Sequence, residues 1–310
     1  MMKNALFGGV NAAALTAMKA DLSVDLDRMA AHCKWLLANG CNGLAVLGTT
    51  GEANSLGVDE RIEVMEGLVA RGISPGVMMP GTGTPAFPDT VKLTKAAERL
   101  GCRGALLLPP FFYKNPSDDA IFASFSEVIQ RVGGDIKIYL YHFPQQSMVP
   151  FGIDLVGRLL KAYPGKIKGL KDSSGDFANT RSYVEHFAAD GFEVYCGDDS
   201  ALHGLLAIGG AGCITAAANV GSAVSATVYN NWDQKLGEEA SAMLAAIRKA
   251  VTSAALIPGL KALVARHTGD AGWDNMRPPN MRLSPEAANK LFATFDACGF
   301  SLSRSGAKAA

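Results

Sequence analysis

Short apolar runs alternate with longer stretches of helical periodicity along most of the chain. The runs at 5–14, 43–47, 76–80, 104–108, 137–141, 166–171, 193–196 and 212–215 are bounded mostly by Gly, Pro, Asn or Asp, which predicts strands. Helices are predicted between them, at 24–38, 59–71, 87–100, 118–131, 153–162, 177–188, 201–207 and 220–232. In the first of these, Leu26, Met29, Ala30, Cys33, Leu36 and Leu37 recur at helical spacing, and Asp59 is placed to cap the second. Unbroken apolar strands suit a parallel sheet buried on both faces. Eight strand–helix repeats are the pattern of an α/β fold, the (β/α)8 TIM barrel, here over residues 1–232. Residues 233–310 are helical in pattern (240–251, 258–266, 285–297) and predict a C-terminal helical extension packed on or between barrels, with a frayed tail at 301–310. A doubly wound open sheet would carry a glycine-rich phosphate turn at a helix start. Pro85 and Pro88 spoil Gly81-Thr-Gly83 for that purpose, and Gly209-Gly-Ala-Gly212 precedes a strand instead of following one.

Composition narrows the functional class. The chain has 310 residues, 48% of them apolar, and 29 basic against 29 acidic side chains. That balance leaves no electrostatic footprint for nucleic acid or an anionic membrane, so a small-molecule substrate is expected. No run reaches the roughly 20 apolar residues of a membrane span, and Gly8, Gly9 and Asn11 interrupt the one stretch that imitates a secretory signal. The six cysteines are scattered without paired spacing, so buried free thiols in a reducing cytosol are expected, with neither zinc nor a disulfide framework.

Chemistry enters at Lys171, which ends the buried run Lys166-Ile-Lys-Gly-Leu-Lys171 and is followed by the turn Asp172-Ser-Ser-Gly175. An ammonium there is costly to desolvate. Either the side chain snorkels outward, or it gives up its proton and becomes a nucleophile for ketones. In a barrel the strand C-terminal ends gather at one mouth, which groups Lys171 with Gly48-Thr-Thr-Gly-Glu52, Tyr141-His-Phe-Pro144, Gly197-Asp-Asp199 and Ile214. The first of these offers backbone N–H groups and two hydroxyls for a carboxylate. Tyr141 can pass a proton to and from a substrate hydroxyl. His142 alternates with Tyr141 and reads as a core histidine, Glu52 as a brace, and Asp172, Asp198 and Asp199 as turn caps. Phe111-Phe-Tyr113 reads equally as packing or interface.

With these pieces in this order, the sequence resembles the N-acetylneuraminate lyase/dihydrodipicolinate synthase superfamily of pyruvate-dependent class I aldolases. Besides the motifs above, the resemblance rests on Gly169-Leu-Lys171-Asp-Ser-Ser-Gly175 and on Gly209-Gly-x-Gly-x-Ile214 with Ala218-Asn219, and spans about residues 7–266. It implies a lyase in which Lys171 forms a Schiff base with pyruvate or a 2-keto-3-deoxy acid, without metal or organic cofactor. It further implies that Thr49 and Thr50 bind the carboxylate, that Thr49 and Tyr141 relay protons, that Gly197 and Ile214 line the floor, and that the chain is a homotetramer or homodimer. Tyr113, or Phe112 before it, would be lent across a subunit interface; the segment is one residue longer here. Two departures bear on substrate. Gln146 stands where the synthases carry an arginine for the aldehyde's carboxylate, and a neutral amide cannot form a bidentate charged clamp. Thr16-Ala17 stands where the first strand commonly ends in Thr-Pro. The expected reaction is therefore cleavage or formation of a C–C bond giving pyruvate and an aldehyde. The alternatives are a synthase-type condensation, dehydration of a 2-keto-3-deoxy acid, or a barrel that only binds.

Overall fold

The structure, a computed structural model, describes residue 2 and residues 4–302. Its elements begin with β1 (Gly9–Ala12), α1 (Leu26–Ala38), β2 (Gly43–Leu44), α2 (Val58–Ala70), α3 (Phe87–Arg99), β3 (Gly104–Leu107), α4 (Asp118–Val132) and β4 (Lys137–His142). They continue with α5 (Pro144–Ser147), α6 (Ile153–Ala162), β5 (Ile167–Asp172), α7 (Phe177–Phe187), β6 (Glu193–Cys196), α8 (Leu202–Ala207), β7 (Gly212–Thr215) and α9 (Ala218–Asn230). Three further helices follow: α10 (Lys235–Val251), α11 (Leu256–Thr268) and α12 (Pro285–Asp296). Local chemistry sets several helix ends. Asp25, Ser117, Asp176 and Ser284 each accept a first-turn backbone N–H. Pro285 opens α12, where a missing N–H costs nothing, and α11 stops at Gly269, in the left-handed region with φ 67°.

The seven strands form one parallel sheet in the order β2-β1-β7-β6-β5-β4-β3, with every residue of β1, β3, β6 and β7 buried. Helices cover it, giving a TIM-barrel-like α/β fold. One core cluster, around Phe7, Met79, Leu106, Tyr139, Tyr141, Tyr195 and Ile214, fills the inside of the curled sheet. A larger one lies between the strands and the helices. Side chains alternate accordingly along β4, with Tyr139 and Tyr141 inward and Ile138 and Leu140 in the outer cluster. Below the mouth, Glu193 is wholly buried and accepts from Tyr139 Oη (2.8 Å), Tyr195 Oη (2.7 Å) and Leu6 N (2.7 Å).

Several predicted elements change. The strand predicted at 76–80 is not formed as one. Pro75–Val77 is a turn of 3₁₀ helix, and two isolated parallel bridges follow, Leu44↔Met78 and Gly81↔Leu106. Pro80 lies between them and has no N–H to give, so the ladder toward β3 is interrupted there, while Met79 N and Gly81 N still donate to Leu44 O and Val46 O. The strand predicted over 5–14 shrinks to β1, because the chain before it turns with Gly8 N donating to Ala5 O (3.3 Å). The one predicted over 43–47 keeps only Gly43–Leu44; Leu47 enters the left-handed region at φ 57° and starts a turn. In the 233–310 region, α10 packs on α9, α11 on α9, and α12 on both α10 and α11. Of the tail predicted to fray at 301–310, residues 303–310 lie outside the described residues. Five cysteines are buried and Cys298 is half-buried, all as free thiols.

Candidate active site

Pairing of β4 with β5 sets Tyr141 directly against Lys171. Both face into the curled sheet at the strands' C-terminal ends, and both are buried, at 5% and 6% exposure. Lys171 Nζ lies 4.1 Å from the centroid of the Tyr141 ring, a cation–π contact worth about 2 kcal/mol when desolvated. Burial acts to raise the Tyr141 phenol, but the Lys171 charge and hydrogen bonds with Thr49, Lys171 and Ser173 outweigh it and hold the phenol below its ordinary value of 10. Phe143 stacks on the same ring at 5.8 Å. On the outer face His142 accepts the Phe151 N–H (3.0 Å), which makes it a satisfied core residue, and burial lowers it. Asp172 braces the turn that follows: it accepts from Ser174 N (2.8 Å), Asn179 Nδ2 (2.9 Å) and Thr180 Oγ1 (2.7 Å).

Thr49 reaches Tyr141 from the turn after β2. Glu52 N donates to Thr49 O (3.1 Å) and Ala53 N to Gly48 O (3.2 Å), while Thr16 Oγ1 holds Gly51 O from the neighbouring loop (2.7 Å). Gly51 is packed so closely that a Cβ would lie 3.0 Å from Ala14 O and from Leu47 N. Thr50 is buried, Thr49 half-buried. Arg61 from α2 shares the cleft lined by Thr49, Leu108 and Tyr141 and donates to Gly81 O (2.6 Å); burial pulls it down to about 10. On the far side, Gly197 N donates to Asp172 O (2.7 Å), and a Cβ there would lie 2.0 Å from Ser173 Oγ, so only glycine leaves Ser173 its place beside the phenol. Ile214 belongs to the same inner cluster as Tyr141.

Lys171, Tyr141, Thr49, Gly197 and Ile214 thus converge, and Thr50 sits in the same turn as Thr49. Tyr113 and Phe112 do not join them within one chain, and the expected loan across a subunit interface involves a second copy. They are 75% and 70% exposed and pack edge-to-face on each other, with ring centroids 5.3 Å apart. Gln146, on the short α5, is exposed, and its neighbour Gln145 donates to Ser174 O. Ser173, Phe143 and Arg61 were not singled out from the sequence. Ser173 stood within a quoted motif, whereas Arg61 carried no local signal. A cleft of about 940 Å³ lies elsewhere, lined by Arg28, Trp35, His267 and Trp273 and by none of the mouth residues. The converged chemistry, and not the cleft volume, marks the site.

Comparison with known proteins agrees with this fold. A sequence profile of the dihydrodipicolinate synthetase family matches residues 6–298. An uncharacterized DapA-like lyase of Chloroflexus aurantiacus is 32% identical over 93% of this chain and 96% of its own. The crystal structure of dihydrodipicolinate synthase from Agrobacterium tumefaciens superposes with a TM-score of 0.86 at 33% identity, covering 94% of this chain and 99% of that one. The structure of YagE from E. coli, a family member in complex with pyruvate, gives a TM-score of 0.87 at 25% identity over 95% and 99% of the two chains. The chain belongs to the dihydrodipicolinate synthetase family and is an enzyme of the lyase class.

Proposed function

We propose that the protein is a Schiff-base-forming aldolase that interconverts a 2-keto-3-deoxy acid with pyruvate and an aldehyde. The observation that carries this reading is a buried lysine whose Nζ lies 4.1 Å from the ring of a tyrosine, with that phenol also hydrogen-bonded to Thr49. In the cleavage direction the Lys171 nitrogen bonds the C2 keto carbon, and two of its ammonium protons leave with the keto oxygen as water as the iminium forms. The Tyr141 phenolate takes the proton of the C4 hydroxyl, the C3–C4 bond breaks, and its electron pair moves into the iminium to give an enamine. The aldehyde departs, the enamine takes that proton back from Tyr141 at C3, and water hydrolyses the iminium to free pyruvate and Lys171. The electron sink is the lysine adduct itself. Thr49 and Thr50 hold the substrate carboxylate, the Thr49 hydroxyl completes the relay with Tyr141, and Gly197 and Ile214 line the floor under the imine. A neutral Gln146 at the mouth favours an aldehyde without a second carboxylate.

In the same reading residues 78–82 form the eighth stave of a closed barrel spanning 1–232, and 233–310 is an appended helical layer. Phe112 and Tyr113, exposed at the mouth, are contact residues between copies in a cytoplasmic homo-oligomer. Mass spectrometry after borohydride reduction with pyruvate tests the chemistry: a reduced adduct on the peptide carrying Lys171 is expected, and none in Lys171→Ala. A folded wild-type protein that forms no adduct rules the aldolase reading out.

A further inference from the structure

We propose that Lys261, through its ion pair with Glu52, is a positioning residue for the turn that receives the substrate carboxylate. This deepens the proposed function and rests on its assignment of the 48–52 turn. Lys261 lies on α11, 209 positions along the chain from Glu52, yet its ammonium pairs with Glu52 Oε1, and both side chains are wholly excluded from solvent. The same ammonium donates to Asn275 O (2.9 Å), and Asn280 Nδ2 reaches the other Glu52 oxygen (3.3 Å).

Glu52 is an unusual place to anchor a helix. Its backbone sits in the left-handed region, φ 54° and ψ 32°, which a non-glycine residue adopts at a cost. Its N–H closes the turn onto Thr49 O. A shift of the Glu52 side chain therefore moves the backbone that presents Thr49, and with it the hydroxyl bonded to Tyr141. Arg277, from the same C-terminal region, holds the next stretch by donating to Ser55 O (2.7 Å).

A buried ion pair is a poor route to stability, because desolvating both charges offsets most of their attraction, and apolar side chains of similar size often do as well. Burial lowers the Lys261 ammonium despite the charge and hydrogen bond of Glu52, so the pair does not fully recover its desolvation. What the pair supplies that an apolar contact cannot is a charge-held contact: the ammonium keeps a buried carboxylate oxygen at its side and tethers the turn to α11. Losing one hydrogen bond to a charged group costs roughly ten- to a hundredfold in affinity.

The test compares wild type with Lys261→Met, Glu52→Gln and the double variant. Two quantities are read, the pyruvate concentration that half-saturates borohydride trapping at Lys171 and the trapping rate at saturation, with thermal unfolding in parallel. All three variants are expected to raise the half-saturating concentration roughly ten- to a hundredfold, with a much smaller change in the saturated rate. The double variant, which strands no charge, is expected to regain thermal stability over Lys261→Met while keeping the raised pyruvate requirement. A purely structural pair would recover both together. Should Lys261→Met fail to fold, the isosteric Glu52→Gln and the double variant decide. Wild-type half-saturation in any folded variant overturns the proposal, and so does failure of all three to fold, which would assign the pair to stability. A wild-type protein that forms no adduct removes the aldolase reading itself, a different result from an adduct that forms normally in the variants.

Discussion

Tyr141 is held by contacts that leave its ring in place when its hydroxyl is removed: stacking with Phe143, and a strand position opposite Lys171. Tyr141→Phe should therefore still form the pyruvate adduct, while turnover falls by roughly 10²–10⁴-fold, the usual contribution of a positioned acid–base group. An adduct lost together with turnover would assign the phenol to imine formation instead. Asp199 offers a second test at this scale. Burial raises its carboxyl from 3.8 to about 6, against the opposing charge of Arg248, whose Nη1 lies 4.0 Å from it. The folded chain thus holds this proton more tightly than the unfolded one. The associated stability is complete below pH 3.8 and is lost as pH rises through about 6. That span corresponds to about 3 kcal/mol at most. Asp199→Asn should raise the melting temperature at pH 7.5 and leave it nearly unchanged at pH 4. Equal shifts at both values would remove titration as the cause.

At the scale of elements, the site depends on the register of β4 and β5. A slip by one residue would turn Tyr141 or Lys171 to the helix side. Gly169 helps to hold that register: a Cβ there would lie 2.3 Å from Glu193 O and 2.9 Å from the Tyr139 ring. Gly169→Ala should cost about 1–3 kcal/mol by overpacking, seen in denaturant unfolding, and should slow adduct formation more than an equally destabilising surface change does. The link between α2 and the segment after α11 can be tested by acid. The Arg277 fork holds Glu60 down to about 2 from 4.5, so this contribution is present above pH 4.5 and lost as pH falls through about 2. Arg277→Leu should flatten that limb of the stability curve, and an unchanged limb would show that other carboxylates set it.

For the whole molecule, the exposed Phe112–Tyr113 pair predicts that sedimentation will find an assembly, and that replacing both with Ala will shift it toward smaller species. A fully active monomer would refute that assignment. How far the chain could be read in advance depended on the reach of each interaction. The helices were legible within a few residues because three- and four-residue spacing and end caps such as Asp25 and Ser284 are local features. Lys171, Tyr141 and the 48–52 turn were legible because strand ends in such a fold must meet. The strand predicted at 76–80 was not, since an apolar run does not reveal that Pro80 interrupts the ladder on one side. Arg61 and the Lys261–Glu52 pair were not either, because each depends on where a distant element docks. Sequence alone determined the alternation of strands and helices, the chemistry gathered at the mouth and the neutral Gln146, all of which follow from residue type and period. Only the tertiary structure decided that Thr49 and Ser173 share the Tyr141 phenol, that Phe112 and Tyr113 are exposed, and that Lys261 of α11 pairs with Glu52. Those outcomes depend on packing between residues far apart in the chain, where burial and distance set what a charge or hydroxyl can do.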